Sequence, residues 1–205
     1  MSLEKMKSSM LDMMHKNQSI MISTKNEAGK LHVSYSPVVF HDGKAYCYMS
    51  TIAQHARNLN TNAEASIMWI ADESDSKQIF ARGRVTFDAV TKVLASEQQD
   101  EIHPKFVERF GEIVDRFKEM ADFSVYEFSL DQGRLVLGFG QAFDVQAGSL
   151  DVAHVGGSRQ GHIPKDQAHG HSPHGASPHS GHGHSPHAAS PHGGHEHAAK
   201  SPHSH

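Results

Sequence analysis

A single cysteine, Cys47, occurs in 205 residues, which excludes an intrachain disulfide framework and a paired-thiol redox motif. It sits in the apolar run AYCYMS, where a small buried hydrophobe on a strand is the expected role. Basic charge is also scarce. Lys and Arg total 19 against 23 Asp and Glu, the net charge is −4 with histidine neutral, and no basic run stands out. The electrostatic footprint for nucleic acid is therefore missing. The start MSLEKMKSSMLDMMHK lacks the apolar core of a secretion signal, and no apolar stretch reaches the length of a bilayer span. A cytoplasmic chain with neither nucleic acid nor membrane as partner is expected. Large apolar residues nearly vanish from about His169 onward, where His, Ser, Pro, Gly and Ala dominate. Nothing there offsets the entropy of ordering the chain.

The foldable part is thus residues 1–150, one domain with a modest core that completes its burial by dimerising. Residues 151–165 form a connecting C-terminal segment, and 166–205 form a tail without fold.

Within the domain, Leu3, Met6, Met10 and Met13 or Met14 recur at helical spacing, so LEKMKSSMLDMMHK reads as an amphipathic helix whose methionines are core contacts. SIMIST, LHVSYSPVVF and AYCYMS then read as strands of an antiparallel meander, with Asp42-Gly43 as a hairpin signal. TIAQHARNLNTN is a short helical break. EASIMWIAD and KQIFARGRVTFDAV resume the strand pattern. A second helix is expected after Pro104, with Phe106, Val107, Phe110, Ile113, Val114 and Phe117 on one apolar face. FSVYEFSLDQGRLVLGFGQAFDV reads as two strands joined by a turn at Asp131 to Gly133. GFG at 138–140 lacks the third glycine and the strand-to-helix step of a dinucleotide fingerprint, so its glycines are read as letting a strand bend. These elements predict a mainly β fold of about six strands and two main helices, an antiparallel barrel with helices outside it.

The ordered set VSYSPVVF, AQHARNL, KQIFARGRVTFDAV, ERFGEI, ADF and GFGQAF, spread over nearly all of residues 1–163, resembles the HutZ/HugZ-type haem-utilisation proteins. These are haem-degrading members of the flavin-binding split-barrel superfamily typified by pyridoxamine 5′-phosphate oxidase. The resemblance implies a homodimer of six-stranded split barrels with haem near the dimer interface. It also implies a histidine of the C-terminal segment, 151–165, on the iron. In SLDVAHVGGSRQGHIPK the Gly161-His162 pair matches that ligand, and His154 is the alternative. Asp122 of ADF matches the aspartate that tunes the ligand imidazole, because a carboxylate on the second ring nitrogen pushes electron density toward the iron. From the residues alone, a turn or cap carboxylate is the competing role.

Haem propionates need cationic partners. Arg82 and Arg84 in FARGR stand at strand spacing, and Arg84 matches a family arginine near the haem. His55 of AQHARNL matches a residue that sets subunit packing. The implied reaction is oxidative opening of the haem ring with oxygen and an unidentified electron donor, or with peroxide, so that haem is both cofactor and substrate.

Two other functions fit parts of the sequence. The superfamily's commoner cofactor is FMN, whose phosphate could draw on Arg57, Arg82 and Arg84, although LHVSYSPVVF lacks the basic residues that flavin members carry there. The tail carries twelve histidines, His169, His171, His174, His179, His182, His184, His187, His192, His195, His197, His203 and His205, with SPH repeated five times. Neutral imidazoles this closely spaced suit Ni, Zn or Cu, and a metal-storage or metal-buffering protein is the third reading.

Overall fold

The computed structural model describes residues 2–155. His162 and the twelve tail histidines lie outside the described residues.

Ser2 caps the first helix, α1 (Leu3–Lys16), by accepting from the Lys5 amide, and Met6, Met10 and Met14 are its buried face. Strands β1 (Ser19–Lys25) and β2 (Leu31–Pro37) pair antiparallel. The expected run LHVSYSPVVF is broken at Val38, and β3 (Val39–His41) forms a separate hairpin with β4 (Lys44–Ser50). Its turn is Asp42-Gly43, both at positive φ, as the sequence signal requires. The short helix α2 (Gln54–Thr61) lays Ala56, Asn58 and Leu59 against the sheet, where the Asn58 amide donates to Thr24 at 2.9 Å. Strands β5 (Glu64–Ile70) and β6 (Arg84–Val93), helices α3 (Ser96–Phe110) and α4 (Asp115–Glu119), and strands β7 (Phe123–Gly138), β8 (Gln141–Val145) and β9 (Val152–His154) complete the chain.

All pairs are antiparallel, in the order β2-β1-β5-β6-β7-β4-β3, with β8 on the far part of β7 and β9 on β8. The sheet curls until β2 meets β4. Its concave side holds the main core, including Ile22, Trp69, Phe87, Tyr126, Phe128 and Leu135, closed by α1. A second cluster of Val39, Tyr46, Leu94, Ile102, Phe106, Val114 and Val125 fixes α3 on the convex side. Cys47 is fully buried, and burial pushes its thiol up to about 12. No helix among the described residues is long and apolar enough to cross a membrane.

Four expectations need correction. Nine strands are present among the described residues, not about six. Asp131 to Gly133 is no turn, because β7 runs through it for 16 residues and pairs with β6 on both sides. Ala89 faces Leu130 while Phe87 faces Gly133, so one extra residue sits on β7 as a bulge. The bulge is what keeps Phe128 and Leu135, of opposite parity, on the same core face. Gly133 is required there, since a Cβ would lie 2.6 Å from the Phe87 ring. The reversal comes instead at GFG, where Phe139 and Gly140 link β7 to β8 with Gly140 at φ 69°.

The helix expected after Pro104 begins at Ser96 and holds that proline inside. Pro104 and Asp100 are both exposed, so the carbonyl that loses its partner can turn to water. Gly111, at φ 78°, ends the helix, and a 3-10 turn leads into α4, leaving Ile113 exposed rather than on the apolar face. Finally, β6 starts at Arg84, and residues 79–81 form a 3-10 turn where a strand was expected.

Candidate functional site

Arg84 opens β6 and Arg82 precedes it, so the two do not share a strand as expected. The Arg82 Nε donates to the Ala71 carbonyl at 2.6 Å and its Nη1 pairs with Glu73 at 2.8 Å. Arg84 donates Nη1 to the Arg82 carbonyl at 3.0 Å. Its neighbour Val85 is in the core, so alternation puts Arg84 on the convex face with Thr86. Ile79, Phe80 and Phe139 are exposed around this corner, and the 79–81 turn packs against β7. Arg84 itself is half-buried.

A cleft of about 690 Å³ is lined by Met13, Met21, Met68 and Ile70, by Asp72 and Asp75, and by Lys16 and Arg82 at its edge. Ile70 is the register partner of Arg84. The row Tyr35, Met21, Met68, Thr86 runs across β2, β1, β5 and β6 on one face. The cleft is thus continuous with an exposed apolar row on the edge strand, Leu31, Val33 and Tyr35, each at least 60% exposed. An exposed apolar row of this kind is typical of interaction surfaces. A cleft of this volume is in the range of cofactor sites; its methionines and Ile70 offer an apolar wall, while Asp72 and Asp75 share the lining and the edge cations Lys16 and Arg82 pair with Asp75 and Glu73.

Asp122 occupies the other end of β7, in the turn between α4 and that strand. Its Oδ2 accepts from the Ser50 hydroxyl at 2.6 Å and its carbonyl from the Thr51 amide at 2.7 Å. Among the described residues nothing donates to Oδ1. The turn-carboxylate geometry is present, and it leaves one oxygen for a further donor. From Phe123 to Val136, the partner of Arg84, β7 covers about 43 Å of contour.

His55 sits in α2 with Nδ1 3.0 Å from the Ser34 hydroxyl. Burial, followed by the neighbouring His32, holds it below its usual 6.5. His154 ends β9 and tilts its ring against Phe143 at 5.5 Å. The register Val85, Leu135, Phe143, His154 keeps it on the core-facing side, opposite to Arg84. The structure brings Arg82 and Arg84 together. It sets Asp122 and His154 apart from them. Arg57 lines a different, polar pocket with Gln54 and Asn58, which separates it from the other two arginines enlisted for a phosphate. Among the described residues no group of three or more His, Cys, Asp or Glu could hold a metal ion.

One polar cluster was missed. His103, buried on α3, sits with Nδ1 2.8 Å from the Tyr48 hydroxyl and Nε2 2.7 Å from Asp115 Oδ1. Tyr48 belongs to β4, 55 residues away in sequence. The only local signal was a histidine at a position of α3 that pairs in period with Ile102 and Phe106.

The pyridoxamine 5′-phosphate oxidase family model matches residues 6–137. A haem oxygenase HutZ of Vibrio cholerae is 40% identical over 141 residues, covering 67% of this chain and 80% of the relative. Among solved structures, Campylobacter jejuni ChuZ superimposes with a TM-score of 0.72 at 28% identity, over 80% of this chain and 67% of ChuZ. A second, described as HutZ, the haem storage protein from Vibrio cholerae, gives 0.61 at 35% identity, over 68% and 96%. The two descriptions of HutZ agree on haem and differ on whether the protein turns it over.

Proposed function

The chain belongs to the haem-utilisation proteins of the HutZ/HugZ type, within the pyridoxamine 5′-phosphate oxidase-like superfamily, and from that membership we propose that it binds haem and opens the porphyrin ring, releasing iron. Haem supplies the redox chemistry with oxygen and an electron donor, or with peroxide; the chain supplies binding, orientation and a shaped electrostatic surrounding. Two copies pack through Leu31, Val33 and Tyr35, with His55 setting the packing from behind β2. The Met21–Met68 cleft takes the apolar ring. Arg84 holds a propionate; Arg82, already committed to Glu73, contributes less.

The iron ligand in this reading is His162. It follows His154 by eight residues, a reach of at most about 28 Å, so the segment can carry it well away from where β9 ends. His154 is the alternative, at the cost of turning its ring off Phe143. Asp122 offers Oδ1 to the ligand's second nitrogen, which orients the imidazole and makes it more basic. Because Asp122 and Arg84 stand at opposite ends of β7, a site that uses both draws them from two subunits.

The observation that carries the reading is that Arg84 and a methionine-bearing cleft share one face of the sheet, linked through Ile70, the register partner of Arg84. The test is an absorption spectrum as purified and after titration with haemin. A Soret band saturating at one haem per chain, followed by bleaching with reductant and oxygen, is expected. Binding without bleaching reduces the function to haem storage. A bound yellow chromophore would assign the cleft to FMN.

A second reading applies to the tail. Its twelve histidines bind divalent Ni, Zn or Cu independently of the barrel. Calorimetric titration of Zn²⁺ into the full chain and into a chain ending at Lys165 tests this; equal uptake by the two would refute it.

A further inference from the structure

The trio of half-buried Tyr48, buried His103 and exposed Asp115 is used by no part of the proposed reaction, yet each contact leads toward Asp122. We propose that these three residues form a positioning relay that fixes the Asp122 carboxylate, an inference that rests on the role given to Asp122 above.

His103 is the hinge of the relay. An imidazole whose Nε2–H donates to a carboxylate leaves Nδ1 as acceptor, and the Tyr48 hydroxyl at 2.8 Å is the donor that fits. The two bonds tie three elements: β4 through Tyr48, α3 through His103 and the first turn of α4 through Asp115. Helix α4 has only five residues and cannot hold its shape by itself. Its second anchor is Phe117, which stacks on Phe123 at 4.8 Å with the rings 7° from parallel, and lies 6.0 Å from the Tyr48 ring.

Asp122 hangs between these anchors. The chain leaves α4 at Met120, and the Phe123 amide donates back to the Met120 carbonyl at 3.1 Å, closing a turn in which Asp122 is the third residue. The other side of the turn is held by Ser50 and Thr51, which follow Tyr48 on β4 by two and three residues. The relay therefore locks both sides of the turn, β4 by Tyr48 and α4 by Asp115. Loosening either one moves the Asp122 carboxylate relative to Ser50 and to whatever Oδ1 meets. None of the three lines the clefts described above, so the trio is proposed as a set of positioning residues.

The test compares Tyr48→Phe, Asp115→Asn and Asp122→Asn in the full chain. Both relay variants keep the side-chain volume and so the packing. Two readouts are taken: amide hydrogen exchange at Thr51 in the haem-free protein, and the iron–imidazole stretching frequency with the midpoint potential in the haem-loaded protein. Asp122→Asn is expected to lower the frequency and raise the potential, because it removes the carboxylate from the ligand. Tyr48→Phe and Asp115→Asn should shift both in the same direction by less, should add nothing on top of Asp122→Asn, and should speed Thr51 exchange about fivefold, the equivalent of one ordinary hydrogen bond. If Asp122→Asn shifts the spectrum while the relay variants leave spectrum and exchange at wild-type values, the relay is refuted and the role of Asp122 stands. If Asp122→Asn leaves the spectrum unchanged, that role falls and the relay falls with it.

Discussion

The two ends of β7 are built on different principles. At the Asp122 end the turn is tied at three points: one carboxylate oxygen to Ser50, the carbonyl to Thr51, and the preceding helix to His103. At the Arg84 end, one guanidinium bonds a carbonyl, the second is committed to Glu73, and Phe80 and Phe139 are more than 70% exposed. In the proposed function the first serves as an orienting device, which needs rigidity to aim one oxygen, and the second as a receiving surface for the ligand. The two are separated along one strand, so the proposed site requires a second copy that brings its orienting end to the first copy's receiving end.

The strongest way to break that picture is to keep the copies apart. Val33→Lys together with Tyr35→Lys puts two charges in the exposed row on β2; the expected result is a monomer by sedimentation, with haem affinity lowered by more than about a hundredfold, since buried unpaired charge costs several kcal/mol. A variant that stays dimeric and binds normally would move the interface elsewhere. Next in size is Gly133→Ala, which severs the continuity between the two ends. The new Cβ meets Phe87 and the Thr86 carbonyl, and urea unfolding should show a loss of about 2–3 kcal/mol from overpacking.

Arg84→Gln sharpens the contrast at the receiving end. A charge-assisted bond to a propionate is worth about 1.5–3 kcal/mol, so haem affinity should fall about tenfold or more. Arg82→Gln should cost less, because its charge already belongs to Glu73. Equal losses would deny Arg84 its special place. The smallest effect concerns His55. Its folded-state affinity for protons is depressed, so the unfolded chain binds the proton more readily around pH 6.5. Its contribution to stability is complete above that value and is lost as pH falls through 6.5 toward the lower folded value. His55→Gln should flatten that part of a stability-versus-pH profile.

Much of the barrel was legible because its signals are local: the methionine stripe of α1, the Asp42-Gly43 turn, the alternation of β1. The misplaced turn has a long-range cause. Asp131-Gln132-Gly133 carries turn residues, yet β6 flanks it on both sides, and a bulge serves where a turn would have broken the sheet. Only the Phe87 contact explains Gly133, and Phe87 is 46 residues away. Arg84, Asp122 and His55 were reached through resemblance to a family, not through chemistry visible along the chain. The cleft beside Arg84 was not foreseen, because Met13, Met21 and Met68 come from three elements. The His103 cluster was invisible for the same reason.

The central claim is that a histidine just beyond the last strand, and not the tail, holds the iron. The direct measurement is a haemin titration of the chain ending at Lys165, with and without His162→Ala, followed through the Soret band. The account predicts stoichiometric binding in the short chain and loss of the specific complex in the variant. Equal binding by both would contradict it and pass the role to His154.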